Sequence, residues 1–179
     1  MIRDEGMVEM ETWEEFAVVT GGAAAALTGL LFVAVSIRLD VIAASTDLRS
    51  RAAQTLTLFL SVTLVAVLFA IPGQPEWLFG VELIALAIVC GVMLFVLARR
   101  AWRNASQQTL ARVLDAISPN VLTMALIGLG GLLTAIGLEW GLYLQVPAVI
   151  AALVGGVVSA WLFMMSTGDT PASAAGRDD

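Results

Sequence analysis

The chain is 179 residues long, 59% hydrophobic and 13% charged, and its fifteen acidic and nine basic residues give a net charge of −6. Soluble domains carry about 25% charged and about 45–50% apolar residues, so most of this chain must face something other than water. The acidic balance argues against general affinity for nucleic acid, whose binding is driven by Lys and Arg on phosphates.

In chain order, residues 1–15 form an acidic segment that includes Asp4, Glu5, Glu9, Glu11, Glu14 and Glu15. Residues 16–37 follow without a charge. A hydrocarbon core is about 30 Å thick and a helix rises about 1.5 Å per residue, so crossing takes roughly 20 apolar residues. A cleaved signal peptide would want a basic leader and a shorter apolar core, so this stretch reads as a retained first helix. The second span is 52–71, preceded by Ser45, Thr46 and Asp47, whose side chains offer N-caps, and closed by Pro72-Gly73-Gln74-Pro75. The third is 77–98. Pro75 and Glu76 suit its first turn, because Pro lacks an amide that would be unpaired there and an acid complements the helix dipole. The fourth is 121–138, where Ser118-Pro119 repeats that logic, and the fifth is 143–165. The links at 72–76 and 139–142 are short, which makes the second and third spans, and the fourth and fifth, antiparallel neighbours. Without water to satisfy the backbone each span is helical, and the alternation of a membrane β-barrel is absent. The tail, 166–179, is small and polar and is expected to be disordered.

The arginines orient the bundle. Arg38, Arg49 and Arg51 lie between the first two spans, and Arg99, Arg100, Arg103 and Arg112 between the third and fourth. The other two links have no basic residue. Basic loops stay on the cytoplasmic side, which puts the N-terminus outside and the C-terminus in the cytoplasm. Tryptophan agrees, since its amphipathic ring settles at headgroup level. Trp13, Trp77 and Trp140 fall at predicted outer ends, and Trp102 and Trp161 near inner ones. Within the 104–118 loop, Leu110, Val113, Leu114 and Ile117 have helical spacing. They fit either a short helix lying on the inner membrane surface or a solvated linker helix covering the bundle.

Small residues recur at helical spacing. Gly21, Ala25 and Gly29 form such a line in the first span, with Gly22 and Ala26 beside it. Ala152, Gly156 and Ala160 form one in the fifth, and the fourth has Gly128, Gly130, Gly131 and Ala135. In lipid, helices associate by close van der Waals packing, so small residues mark contact faces. These faces predict tight packing of the first, fourth and fifth spans, within one subunit or across a homo-oligomer.

Glu82 is the acid well within a span. Ionisable groups in the membrane are costly and point to ion or proton sites, although this one lies only about 7 Å inward from Trp77 by helical rise and could snorkel. Gln54, Thr57 and Ser61 make a polar line on the second span. It either borders a water path or bonds to its own helix and its neighbours. The acidic outer face would concentrate cations, although the exclusion of Arg from that side produces part of the asymmetry.

The absences are informative too. There is no His, and the one Cys, Cys90, sits in an apolar run, where it reads as a small buried hydrophobe. An internal disulfide and the usual Cys and His zinc sites are thereby excluded. No phosphate-binding loop, dinucleotide fingerprint, HExxH or GxSxG is present. No catalytic residue, cofactor or metal is therefore expected, and the chain does not read as an enzyme.

The stretch Ala24-Ala-Ala-Leu-Thr-Gly-Leu-Leu-Phe-Val-Ala-Val-Ser-Ile-Arg-Leu-Asp40 resembles the first span of small bacterial multi-span proteins of uncharacterised activity. The resemblance implies the bacterial cytoplasmic membrane and assigns no site residue. The expectation is an all-α bundle of five transmembrane helices. Its partners are membrane lipid and either a second copy or another membrane protein, with nucleic acid excluded. Its role is that of an accessory, regulatory or assembly subunit. The alternative is an oligomeric cation channel or transporter with Glu82 on the pathway.

Overall fold

In the computed structural model, which describes residues 5–37, 39–102 and 110–168, seven helices follow one another: α1 Glu5–Ile37, α2 Leu39–Ala44, α3 Thr46–Phe69, α4 Glu76–Trp102, α5 Leu110–Ala135, α6 Trp140–Tyr143 and α7 Gln145–Gly168. The described residues contain no strand. Four helical stretches are long and apolar enough to cross a membrane: Trp13–Ile37, Leu48–Phe69, Glu76–Arg99 and Trp140–Trp161. Their composition suits a membrane-embedded, multi-pass protein. The apolar part of α5, Asn120–Ala135, is shorter. By helical rise it covers about 24 Å of a core about 30 Å thick.

The helix ends follow local chemistry. Helix α1 starts at Glu5, inside the acidic segment. Met and Glu are good helix formers, and acids in the first turns oppose the positive end of the helix dipole. Ser45 caps α3 as its sequence suggests, with extended backbone and its hydroxyl accepting from the Leu48 amide at 3.4 Å. Gly73, at φ 68°, turns the chain into α4, where the Pro75 carbonyl accepts from the Leu78 and Phe79 amides.

Helix α5 departs most from the sequence expectation. It begins at Leu110 instead of at Ser118-Pro119, so Leu110, Val113, Leu114 and Ile117 belong to the first turns of a continuous helix. Their apolar phase runs on through Val121 and Met124 to Gly128, and that continuity outweighs the one amide Pro119 removes. Helix α5 also stops early, at Ala135. Gly137, at φ 80°, closes it with the Leu138 amide on the Leu133 carbonyl at 2.9 Å and its own amide on the Thr134 carbonyl at 3.0 Å. This is the pair of hydrogen bonds of a glycine-terminated helix. The last helix runs to Gly168, slightly into the predicted tail, and 169–179 lie outside the described residues.

Helix α3 is the hub. It packs on α1, α4 and α7; α5 bridges α4 and α7, so α3, α4, α5 and α7 close into a ring with α1 laid against α3. In the apolar window of α3, 50% is buried, against 11% in α1. Phe59, Phe79, Leu58, Leu83, Ile127 and Val65 fill the centre. At one end Trp13 stacks on Phe69 at 5.7 Å and meets Phe16 and Tyr143 edge-on, while Phe69 contacts Phe79 at 4.7 Å. These rings join the start of α1, the end of α3, the start of α4 and α6 in one place. The outer surface carries exposed Val18, Leu30, Phe32, Val89, Phe95 and Trp161. An apolar surface this continuous is what acyl chains, and not water, would cover.

Candidate functional sites at polar groups and small-residue faces

Glu82 lies early in α4 and is half-buried. Its carboxyl Oε2 accepts a hydrogen bond from Gln74 Nε2 at 2.5 Å. Gln74 belongs to the turn between α3 and α4, and its other amide atom, Oε1, is buried without a hydrogen-bond partner in the chain. The acid therefore ties the turn to the helix that follows it. Sequence spacing could not show this, because a residue in a tight turn folds back on the helix only once its φ and ψ are known.

The polar line on α3 is largely self-satisfied. Thr57 is buried and donates to the Ala53 carbonyl at 2.8 Å; Ser61 is fully buried and donates to the Leu58 carbonyl at 2.7 Å. Thr55 and Thr63 likewise bond back to Arg51 and Phe59. Such back-bonding satisfies a hydroxyl in an apolar setting without any partner helix. Gln54 differs. Its Oε1 accepts from Asn120 Nδ2 at 3.4 Å, a contact that links α3 to α5.

The small-residue faces divide into two groups. A methyl on Gly21 would meet the Ala66 side chain of α3 at 2.8 Å, and one on Gly156 would collide with the Phe59 ring. Gly131 lies so close to α4 that its Cβ would come 2.8 Å from the Gly80 carbonyl, and Gly128 faces Ala87. Ala160 is half-buried. These positions serve contacts inside the molecule, and α1, α5 and α7 use them against α3 and α4 more than against one another. The second group points outward. Gly22, Ala25, Ala26 and Gly29 are exposed on α1, with nothing within 4 Å of a methyl on Gly22 or Gly29. At 100° per residue these four share one side of the helix.

Three features escape a reading of the sequence alone. Gly80 is the counterpart of Gly131 at the closest α4–α5 approach, and only the helix pairing reveals it. Gln145 is fully buried at the start of α7, and neither of its amide atoms has a hydrogen-bond partner in the chain. Its amide nitrogen lies against Gly130, which also closely approaches the Gly141 carbonyl and whose own carbonyl accepts from Thr134 at 2.9 Å. Finally, an apolar groove of about 640 Å³ runs between α4 and α5, from Ile84 and Leu132 to Ala98 and Asn120. It includes neither Glu82 nor the polar line of α3. Among the described residues no cluster of three His, Cys, Asp or Glu is arranged to hold a metal. Compared with protein-family models, with curated proteins and with solved structures, the chain matches none.

Proposed function

We propose that this chain is a multi-pass protein of the bacterial cytoplasmic membrane that acts as an accessory, regulatory or assembly subunit through helix–helix association, without enzymatic activity. In this reading it crosses the membrane five times, with its N-terminus outside and its C-terminus in the cytoplasm. The supporting observation is the outward face of α1, where Gly22, Ala25, Ala26 and Gly29 stand exposed on the least buried of the long apolar stretches. Close backbone approach drives association in lipid, and a face of small residues permits that approach. The partner is a second copy of the chain or another membrane protein. The arginine-bearing ends of the helices lie on the inner side, where anionic lipid and cytosolic partners are met.

The test is association measured in lipid. Gly29→Leu and Ala26→Leu together add bulk to the face without touching the interior. They are expected to weaken self-association, or partner co-purification, at least tenfold while the thermal unfolding midpoint in detergent stays constant. Unchanged association in that double variant would remove α1 as the contact.

A further inference from the structure

We infer that the groove between α4 and α5 holds one acyl chain of an anionic phospholipid, with the headgroup at its Arg99 end. Four observations meet there. The groove is almost wholly apolar and, measured by helical rise, runs about 21 Å along α4 and about 18 Å along α5. That exceeds one leaflet's half of a hydrocarbon core, about 15 Å. Its depth comes from small residues: Ala87, Gly91, Ala125 and Gly128 line it, and a methyl on Gly91 would meet nothing nearer than Met124 at 4.0 Å. Its free volume, about 640 Å³, takes a single extended hydrocarbon chain.

The fourth observation is charge. The groove ends at Ala98 and Asn120. Exposed Arg99 follows Ala98 directly, Arg100 follows it, and Arg112 lies two turns before Asn120 on α5. Asp115 is the acid in that part of α5, so positive charge predominates there. Asn120 adds a buried polar side chain at the same end. An acyl chain running up the groove therefore brings its headgroup to the Arg99 end, where the sequence is net positive, which favours a net-negative lipid over a zwitterionic one. The inference rests on the membrane location and on the arginine end facing the inner leaflet, and not on association through α1.

Native mass spectrometry tests it on the full chain, delipidated in mild detergent. The protein is titrated with dioleoyl-phosphatidylglycerol and, separately, with dioleoyl-phosphatidylcholine. One phosphatidylglycerol per chain is expected, bound at least fivefold more tightly than phosphatidylcholine. Gly91→Leu fills the groove and is expected to cut retention at least tenfold. Ala125→Leu, at an exposed position, gives the same reading should Gly91→Leu fail to fold, and Val158→Leu on the exposed side of α7 leaves binding unchanged. Arg99→Gln is expected to lower phosphatidylglycerol affinity about fivefold while sparing phosphatidylcholine. Undiminished binding in the groove-filling variants, or equal affinity for the two lipids in the parent chain, would overturn the inference. The same spectra report oligomeric state. Lost lipid preference in an associated protein strikes only the groove, and a monomer that keeps its lipid strikes only self-association through α1.

Discussion

Gln145 illustrates how a buried polar group sets a local constraint. Its amide is buried against Gly130 of α5 with no partner in the chain. A buried donor and acceptor left unmade cost about 1–3 kcal/mol, whereas an apolar group of similar shape carries no such penalty. Gln145→Met is therefore expected to hold or raise the thermal midpoint in detergent. A fall equivalent to more than about 1 kcal/mol would mean that the amide has a partner that stabilises the fold. Glu82 differs in that its carboxyl is engaged by Gln74. An acid held by a turn residue near the helix start anchors that turn, and the Thr57 and Ser61 hydroxyls are spent on their own backbone. The chain in proteoliposomes is accordingly expected to pass no more cation than protein-free liposomes. Flux above that level, lost in Glu82→Gln, would replace the association reading with the channel reading.

At the scale of the helix, identical residue types do opposite work. Gly156 accepts the Phe59 ring and Gly131 accepts the backbone of α4, so a larger side chain at either must displace a packed neighbour. Overpacking of this kind costs about 1–3 kcal/mol. Gly156→Leu should therefore lower the unfolding midpoint and loosen α7 from α3, whereas Gly29→Leu, facing open space, should not. Circular dichroism melts of the two variants in one detergent separate the cases, and equal destabilisation would contradict this division of the small residues. The sequence pattern identified the small-residue helices, because small residues at i and i+4 share a face whatever surrounds them. It could not tell which face turns inward, since that depends on which helices pair. Gly80 carries no sequence signal for the same reason. Helix existence was legible from apolar length, and the Ser45 cap and the Pro75-Glu76 start from local chemistry. The start of α5 was not. Pro119 and Ser118 look like an N-terminus, yet the apolar phase from Leu110 to Gly128 is uninterrupted and α5 is continuous through them. Gly137 carried a readable signal for its other end, as a glycine just past a helix commonly marks the C-cap.

For the molecule as a whole, the open quantity is parity. Four of the long helices satisfy the length and composition of a span, while the apolar stretch Asn120–Ala135 is shorter. Four crossings would leave both termini on one side, and five would separate them. The proposal of five crossings draws on how α5 packs. Asn120 meets Gln54 near the start of α3, and Ala135 lies against Gly80 near the start of α4. Between those contacts α5 runs alongside α4, in contact throughout with a helix that itself suits a membrane span. The aromatic cluster makes the same point, since Trp13 and Tyr143 meet at 5.4 Å, so α1 and α7 set out from the same end and run the same way. The ten residues of α5 that precede Asn120 extend the helix further, and local thinning of the bilayer is the means by which a short apolar stretch can be matched. In the proposed orientation the end opposite the aromatic cluster, which bears Arg49, Arg51 and Arg99, faces the cytoplasm, as the basic-loop rule would have it. A fluorescent protein fused to the C-terminus should therefore fluoresce, and a periplasm-dependent phosphatase fused to the N-terminus should be active. Moving charge tests the cause as well as the outcome: replacing Arg49, Arg51, Arg99 and Arg100 with Gln should erode the preference for that orientation. Both termini reporting from one compartment in the parent chain would reduce the bundle to an even number of crossings and would leave α5 as a helix packed on α4 without traversing the bilayer.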